Sequence, residues 1–201
     1  RKLRPNVGSF LIWQQPHFIY LAELVYRANP SDEVIKKYNH LVQETAKFMY
    51  SFATYDEFHG RFILKGAIPA QETLRAATTI NPPFELSYWH YAMNVAQQWR
   101  ERAGEKRNLE WDEMIDKLSP LAYNEDCLYL AAENAVDTYK DIRFTSDHIG
   151  SAWLCGYPAD EQADTCRLYE EYASLGVGQL ELGQDMGLGL PDDRYECHSV
   201  G

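Results

Sequence analysis

Three glutamates stand where a carboxyl group could take part in acid–base chemistry. Glu72 follows Pro69 in a loop between a predicted hairpin and a helix, Glu85 lies in the first turn of that helix, and Glu133 follows the extended stretch CLYLAA. Cleavage of a glycosidic bond commonly uses two such groups: one protonates the leaving oxygen, and the other activates water or attacks directly. The proton donor must stay protonated near neutral pH, which partial burial beside apolar or acidic groups achieves.

Two of these glutamates also have a simpler explanation. A glutamate in an arbitrary loop is usually a solvated charge, and spacing alone favours that interpretation for Glu72. Glu85 would complement the positive end of the helix dipole from the first turn. Glu133 lacks such an alternative and, from its place before Asn134, could reach a cleft.

A second group of candidates combines indole rings with amides. Trp13, Gln14 and Gln15 stand just before Pro16 and His17. An amide both donates and accepts hydrogen bonds, which suits the recognition of hydroxyl groups, and an indole face can stack on a pyranose ring. The alternatives are N-terminal capping of a helix by the glutamines, a core tryptophan and a structural histidine. Further along, Trp89 is another candidate for contact with a sugar.

The composition excludes several classes of partner. The 201 residues carry a net charge of -11, which argues against nucleic acid, and no apolar run is long enough to span a membrane. The aromatic share of 13% suits either a large core or a sugar-binding cleft. The four cysteines form no C-x-x-C pair and no zinc-like cluster with histidine, so we predict neither a metal nor a cofactor. An oligosaccharide or glycoside is the expected substrate.

Helical periodicity dominates the first half of the chain. A helix is predicted over 16–28, with an inward face of Phe18, Leu21, Leu24, Val25 and Ala28. A longer helix should follow to about Ala53, with Asn29 as its N-cap and Pro30 at its first position. Its predicted inward face consists of Val34, Tyr38, Leu41, Val42, Thr45, Phe48, Met49 and Phe52.

A change to alternation then predicts a hairpin that turns at His59–Gly60. A third helix should begin near Asn81–Pro82 and end at Ala103, closed by Gly104, and a fourth should span roughly 109–118. The apolar stripe of the third helix is Tyr88, Ala92, Val95, Ala96 and Trp99. Amphipathic helices joined by long, aromatic-rich loops favour a mainly α protein, a helical barrel whose loops carry the site.

Several segments resemble one superfamily of enzymes. FLIWQQPHFIYLAELVYRANP, then IPAQE followed by TINPPFELSYWHYAMNVAQQWRERAG, and later LYLAAEN, DTY and SDH resemble the catalytic domain of six-hairpin glycosidases similar to glycoside hydrolase family 65. That family contains maltose, trehalose and kojibiose phosphorylases. The resemblance runs from Asn6 to His148 and implies an (α/α)6 barrel with inverting action on glycosides.

The resemblance also implies a role for Glu72. In the phosphorylases the general acid lies in a GPDEYH loop ahead of an Asn-rich helix start, and IPAQE followed by INPPFELSYW occupies the similar place here. The acid role therefore falls on Glu72, with Gln71 and Asn81 as its neighbours in the cleft. Gln71 stands where the phosphorylases have Asp, and Thr73 where they have Tyr, which argues against phosphorolysis.

The resemblance divides the chain in two. Residues 1–148 are expected to form part of the catalytic barrel, which needs about a dozen helices, with the second carboxylate supplied by a later part of it. We therefore expect the chain alone to be inactive, and the parent protein to be bacterial, with a periplasmic or secreted location plausible for it. A disaccharide phosphorylase and a non-catalytic carbohydrate-binding helical domain are the alternatives.

Residues 149–201 are an atypical tail in which no periodicity is sustained. Codons for Gln179 to Gly201 can be chosen so that reading one base later gives NWNWGKTWGWDFPMTAMNATRL, which contains the TWGWDFPM segment that the resemblance leads us to expect. We therefore expect a shift of reading frame near His148 and a poorly packed tail. A divergent but genuine C-terminus is the alternative, and the nucleotide sequence distinguishes the two.

Overall fold

The computed structural model describes residues 11–68, 74–126, 128–141 and 144. This part of the chain is mainly helical. A short 3-10 helix, Ile12–Gln14, precedes α1 (Pro16–Ala28) and α2 (Asp32–Phe52), and a small antiparallel hairpin pairs β1 (Thr54–Asp56) with β2 (Arg61–Ile63). Then come α3 (Pro83–Arg102) and α4 (Leu109–Asp116). None of the helices described here is long and apolar enough to cross a membrane.

Helix α1 has the predicted bounds, but its predicted inward face is wrong. Phe18, Leu21, Leu24 and Val25 are 40–55% exposed, whereas Pro16, Ile19, Ala22 and Glu23 are buried. The buried face contains Glu23, whose carboxylate accepts hydrogen bonds from two side chains of the helix that follows the hairpin, Trp99 and Arg102. An apolar count along the helix treats such a glutamate as a surface residue, so the count selects the other face.

Helix α2 begins two residues later than predicted, because Ser31 rather than Asn29 is its N-cap. The Ser31 hydroxyl accepts a hydrogen bond from the Val34 backbone N–H at 3.4 Å, and two acidic residues in the first turn complement the helix dipole. Of the predicted inward face, Val34, Val42, Thr45 and Met49 are buried, and Tyr38 and Phe52 are partly buried against the core, but Leu41 and Phe48 are exposed.

The hairpin is confirmed at its predicted place. Gly60 has a φ of +65°, which a residue with a side chain adopts only with strain, and Tyr55 lies opposite Phe62. The chain after α4 pairs with β2: the Phe62 N–H donates to Lys117 O at 2.7 Å, and the Ser119 N–H donates to Phe62 O at 2.9 Å. The hairpin is thereby fixed against the core.

Helix α3 is the centre of the core. All five residues of its predicted stripe are buried, and so is every residue from 81 to 89. Gly104 follows its C-terminus with a φ of +78°, as predicted. Helix α4 ends at Asp116, two residues earlier than predicted, and Asn108 caps it by accepting from the N–H groups of Glu110 and Trp111.

Candidate functional site

The loop that carries the predicted acid is closed at its base. The Asn81 N–H donates to Leu64 O at 2.9 Å, and the Leu64 N–H donates to the Asn81 side-chain oxygen at 2.8 Å. Next to this pair, Lys65 and Ile80 form an isolated antiparallel bridge. We call Leu64, Lys65, Ile80 and Asn81 the loop base. The two ends of loop 65–80 therefore meet.

The tip of this loop is not among the described residues. Residues 69–73, which include Gln71 and Glu72, lie outside them. The acid role of Glu72 and the neighbouring role of Gln71 therefore stay predictions. Position 72 nevertheless falls at the middle of a loop whose two ends are joined.

Asn81 anchors the loop rather than capping α3. It is fully buried, has a φ of +50°, and donates from its amide nitrogen to Ser119 Oγ at 3.1 Å and to Glu133 Oε2 at 2.6 Å. Asparagine adopts this left-handed conformation more readily than most residues. Because both amide protons are used within the protein, a hydrogen bond from Asn81 to a substrate would require one of these contacts to break.

Glu133 is tied to the same loop base. Its Oε1 accepts from Arg61 Nη2 at 2.6 Å, its Oε2 accepts from Asn81, and its backbone N–H donates to Ile80 O at 3.0 Å. Asn134 extends the contact by accepting from the Ile80 N–H and donating to Thr78 O. Both carboxylate oxygens of Glu133 thus contact the protein, and its side chain stays 33% exposed; the prediction that it could reach a cleft stays a prediction.

Aromatic side chains gather around the N-terminal turns of α3. Trp13 meets His17 edge-on, with ring centroids 5.4 Å apart, and meets Phe84 at 6.0 Å. His17 Nδ1 lies 2.6 Å from the Tyr88 hydroxyl, and burial lowers the pKa of His17 below its ordinary value, which favours the neutral imidazole. Trp13 and His17 remain partly exposed, so this cluster offers aromatic edges and polar atoms at the surface.

Gln14 and Gln15 lie beside that cluster, Gln14 exposed and Gln15 partly buried. The side chain of Gln15, at the N-cap of α1, makes no capping hydrogen bond, so the simpler explanation by capping does not hold for it. Trp89, by contrast, is fully buried, and its indole N–H donates to Met49 O at 3.1 Å. Since its ring has no exposed surface, Trp89 is a core residue and has no face on which a sugar could stack.

Glu85 is fully buried, which does not fit the predicted charge at the helix dipole. Neither carboxylate oxygen has a hydrogen-bond partner among the described residues. Burial raises the pKa of Glu85 from its ordinary value of 4.5 to about 8. The side chain is therefore neutral at pH 7, and the interpretation as an exposed charge at the helix dipole is wrong.

Sequence reasoning missed Arg61 and Ser119. Both belong to the network at the loop base, and their contacts with Glu133 and Asn81 join positions far apart in the chain. No local pattern marks such pairs. Among the described residues, no cluster of three His, Cys, Asp or Glu side chains could hold a metal ion.

A groove of about 770 Å³ lies at the other end of the core, between α2 and the C-terminal end of α3. Its lining is polar and of mixed charge and includes Lys36, Gln43, Glu44 and Arg100. Arg100 is already bonded to Gln43 and Glu105. None of the predicted site residues that the structure describes lines this groove.

Comparison with protein-family models and comparison with curated proteins gave no match for this chain.

Proposed function

We propose that residues 6–148 form part of a carbohydrate-active enzyme, an inverting glycoside hydrolase built on an (α/α)6 barrel, in which Glu72 is the general acid. The closed base of loop 65–80 is the observation that carries the proposal. A general acid must be held within hydrogen-bonding distance of the leaving oxygen, and catalytic groups are often placed on loops that a rigid scaffold positions.

The place of the loop base within the fold supports this assignment. Asn81 ends the loop, and α3 begins at Pro83, so the loop leads directly into the helical turns that carry Phe84 and Tyr88. Trp13 and His17 contact those turns and stay partly exposed. An acid carried by this loop, with aromatic rings and amides close to the start of α3, is a combination that suits a sugar.

The second carboxylate belongs elsewhere. Glu133 is held by Arg61 and Asn81, and Glu85 is buried and neutral at pH 7, so neither suits a general base that must activate water. The resemblance implies that this group comes from a later part of the barrel. Inversion then requires enough space between the two carboxyl groups for the attacking water.

Turnover measurements separate this proposal from its alternatives. The complete enzyme, meaning a protein that carries residues 6–148 within the whole barrel, is assayed on oligosaccharides with and without inorganic phosphate. We expect cleavage that does not depend on phosphate and a product whose anomeric configuration is inverted. Cleavage only with phosphate would identify a phosphorylase, and sugar binding without turnover would identify a non-catalytic domain; either result would refute hydrolysis.

A further inference from the structure

We propose that a line of aromatic side chains between α1 and α3 binds a linear oligosaccharide that is longer than a disaccharide. The inference rests on the proposed function only for the class of ligand, a carbohydrate. We call the six rings of this line the aromatic ladder: Trp13, His17, Tyr20, Phe84, Tyr88 and Tyr91.

The ladder has three rungs, each of which pairs one ring from residues 13–20 with one ring from α3. The centroid distances are 6.0 Å for Trp13–Phe84, 5.4 Å for His17–Tyr88 and 6.3 Å for Tyr20–Tyr91. On both sides, successive rungs are three or four residues apart, which is the spacing of neighbours on one face of a helix. The ladder therefore follows both helices in the same direction, over a length on the order of 10 Å.

Every rung includes a ring with exposed surface. Trp13, His17 and Tyr20 are partly exposed, and so is Tyr91. The other two rings, Phe84 and Tyr88, are only 3% exposed and pack the first two rungs against the core. Aromatic rings contact the apolar faces of sugars, so each rung offers one place of contact along the line.

Hydrogen-bonding groups accompany the rings at both ends of the ladder. The amides of Gln14 and Gln15 adjoin Trp13 at the first rung, and Tyr20 and Tyr91 each bring a hydroxyl to the last. Amides and hydroxyls both donate and accept hydrogen bonds, as the hydroxyl groups of a sugar require. Rings with a small number of polar groups are typical of sites that bind small molecules.

The ladder favours a neutral ligand. Burial lowers the pKa of His17, which favours the uncharged imidazole, and burial raises the pKa of Tyr91, which keeps its hydroxyl protonated. The charged groups near the last rung are bonded to one another: Glu23 accepts from Arg27 and from Arg102. An uncharged oligosaccharide therefore suits this surface better than an anionic or a cationic ligand.

The first rung follows the loop base, and the last rung is the distant one. Phe84 lies in the first turn of α3, three residues after Asn81, whereas Tyr91 lies about two turns further along the helix. A disaccharide bound at the first rung would not extend to Tyr20 and Tyr91, but a longer chain would. The last rung is thus expected to set a preference for chain length, because contacts remote from the reacting bond raise kcat/KM.

Calorimetric titration of the whole 201-residue chain tests binding without any turnover. The probes are linear tetrasaccharides of the maltose, cellobiose, mannan and xylan series, each with its disaccharide. We expect at least one tetrasaccharide to bind ~10-fold more tightly than its disaccharide. Tyr20→Ala should reduce that preference by ~3–10-fold, and Tyr20→Phe, which keeps the ring, should retain it.

Two further variants keep the titration decisive. Tyr91→Leu removes the other ring of the last rung and should cause the same loss, so the test does not depend on the folding of Tyr20→Ala alone. Phe18→Ala is the matched control, because Phe18 is an exposed aromatic residue of α1 outside the ladder, and it should leave binding unchanged. Binding of no probe, or equal losses from Phe18→Ala and Tyr20→Ala, would overturn the proposal.

Kinetics of the complete enzyme separate this inference from the proposed function. The ratio of kcat/KM for a tetrasaccharide to that for its disaccharide should fall by ~3–10-fold in Tyr20→Ala. Phosphate-independent hydrolysis with an unchanged ratio would overturn the ladder and leave the proposed function standing. Binding that depends on Tyr20, without hydrolysis, would refute the proposed function and leave the ladder standing.

Discussion

Glu85→Met is expected to stabilise the protein, and to do so more as the pH rises. At pH 8 we expect the free energy of unfolding to increase by about 3 kcal/mol relative to the wild type. The reason is that Glu85 is fully buried, with neither carboxylate oxygen hydrogen-bonded to any residue that the structure describes, and methionine has a similar size without the polar group. The measurement is urea denaturation of both proteins at a series of pH values.

The sign follows from the raised pKa. Burial moves the pKa of Glu85 from 4.5 to about 8, so the folded protein holds a proton that the unfolded chain releases above pH 4.5. Wild-type stability from this group is therefore complete below pH 4.5 and is lost as the pH rises towards about 8. Glu85→Met removes this dependence.

The matched control for Glu85 is Glu33→Met. Glu33 also lies in the first turn of a helix, α2, but it is exposed. We expect little change in stability, because the Glu33 side chain is exposed in the wild type. If the wild-type curve were flat between pH 4.5 and 8 and Glu85→Met gave no gain, Glu85 would have to be solvated or ionised in the folded protein.

Glu23→Leu should have the opposite effect. We expect the free energy of unfolding at pH 7 to fall by about 3 kcal/mol, because an apolar side chain leaves the buried Trp99 N–H and the partly buried Arg102 guanidinium without this acceptor. The Glu23 carboxylate accepts from Trp99 Nε1 at 2.8 Å, from Arg102 Nη1 at 2.5 Å and from Arg27 Nε at 2.8 Å. Thermal or urea denaturation measures the loss.

Glu23 and Glu85 are both buried, but their pKa values shift in opposite directions. Burial alone would raise the pKa of Glu23, but the hydrogen bonds from Arg102, Arg27 and Trp99 outweigh it and lower that pKa below its ordinary value of 4.5. Stability from Glu23 is therefore present above pH 4.5 and is lost as the pH falls through the folded-state pKa. The difference in the free energy of unfolding between wild type and Glu23→Leu should accordingly become smaller in acid.

Glu44→Leu is the control for Glu23. Glu44 pairs with Lys47 on the exposed side of α2, where solvent screens the ion pair, so we expect no measurable loss of stability. Two results would contradict the role assigned to the buried carboxylate. One is an equal loss of stability from the two substitutions; the other is a loss of stability in Glu23→Leu that does not become smaller in acid.

The sequence could predict the ends of elements where proline or glycine restricts the backbone. Pro82 before α3, Gly104 after it and His59–Gly60 in the hairpin each restrict the backbone at their own positions, and the elements that they bound were found there. The prediction of the buried stripe of α3 was also correct, because the face of a helix that packs against other helices carries apolar residues at helical spacing.

The errors come from polar side chains whose partners are distant in the chain. Glu23 is buried because its partners Trp99 and Arg102 lie on α3, and Glu133 bonds to Arg61 of the hairpin. The helix start near Asn81–Pro82 was correct, but the left-handed backbone of Asn81 and its bonds to Leu64 and Ser119 were not predicted. The contacts that define the loop base arise only when these segments come together.

The predictions for the tail and for residues 71–72 rest on the sequence alone. Glu72, Gln71 and residues 149–201 lie outside the described residues, so the acid and the shift of reading frame rest on the sequence itself. The described residues add the hydrogen-bonded base that joins the two ends of the loop.

The most direct test of the central proposal compares two substrates in the complete enzyme, wild type and Glu72→Gln. One glycoside has a poor leaving group that needs protonation, and the other has an activated aryl leaving group that does not. If Glu72 is the general acid, the variant loses roughly 10²–10⁴-fold in kcat on the first substrate and stays near wild type on the second. A Glu72→Gln enzyme that cleaves the poor leaving group at a near-normal rate would contradict the assignment.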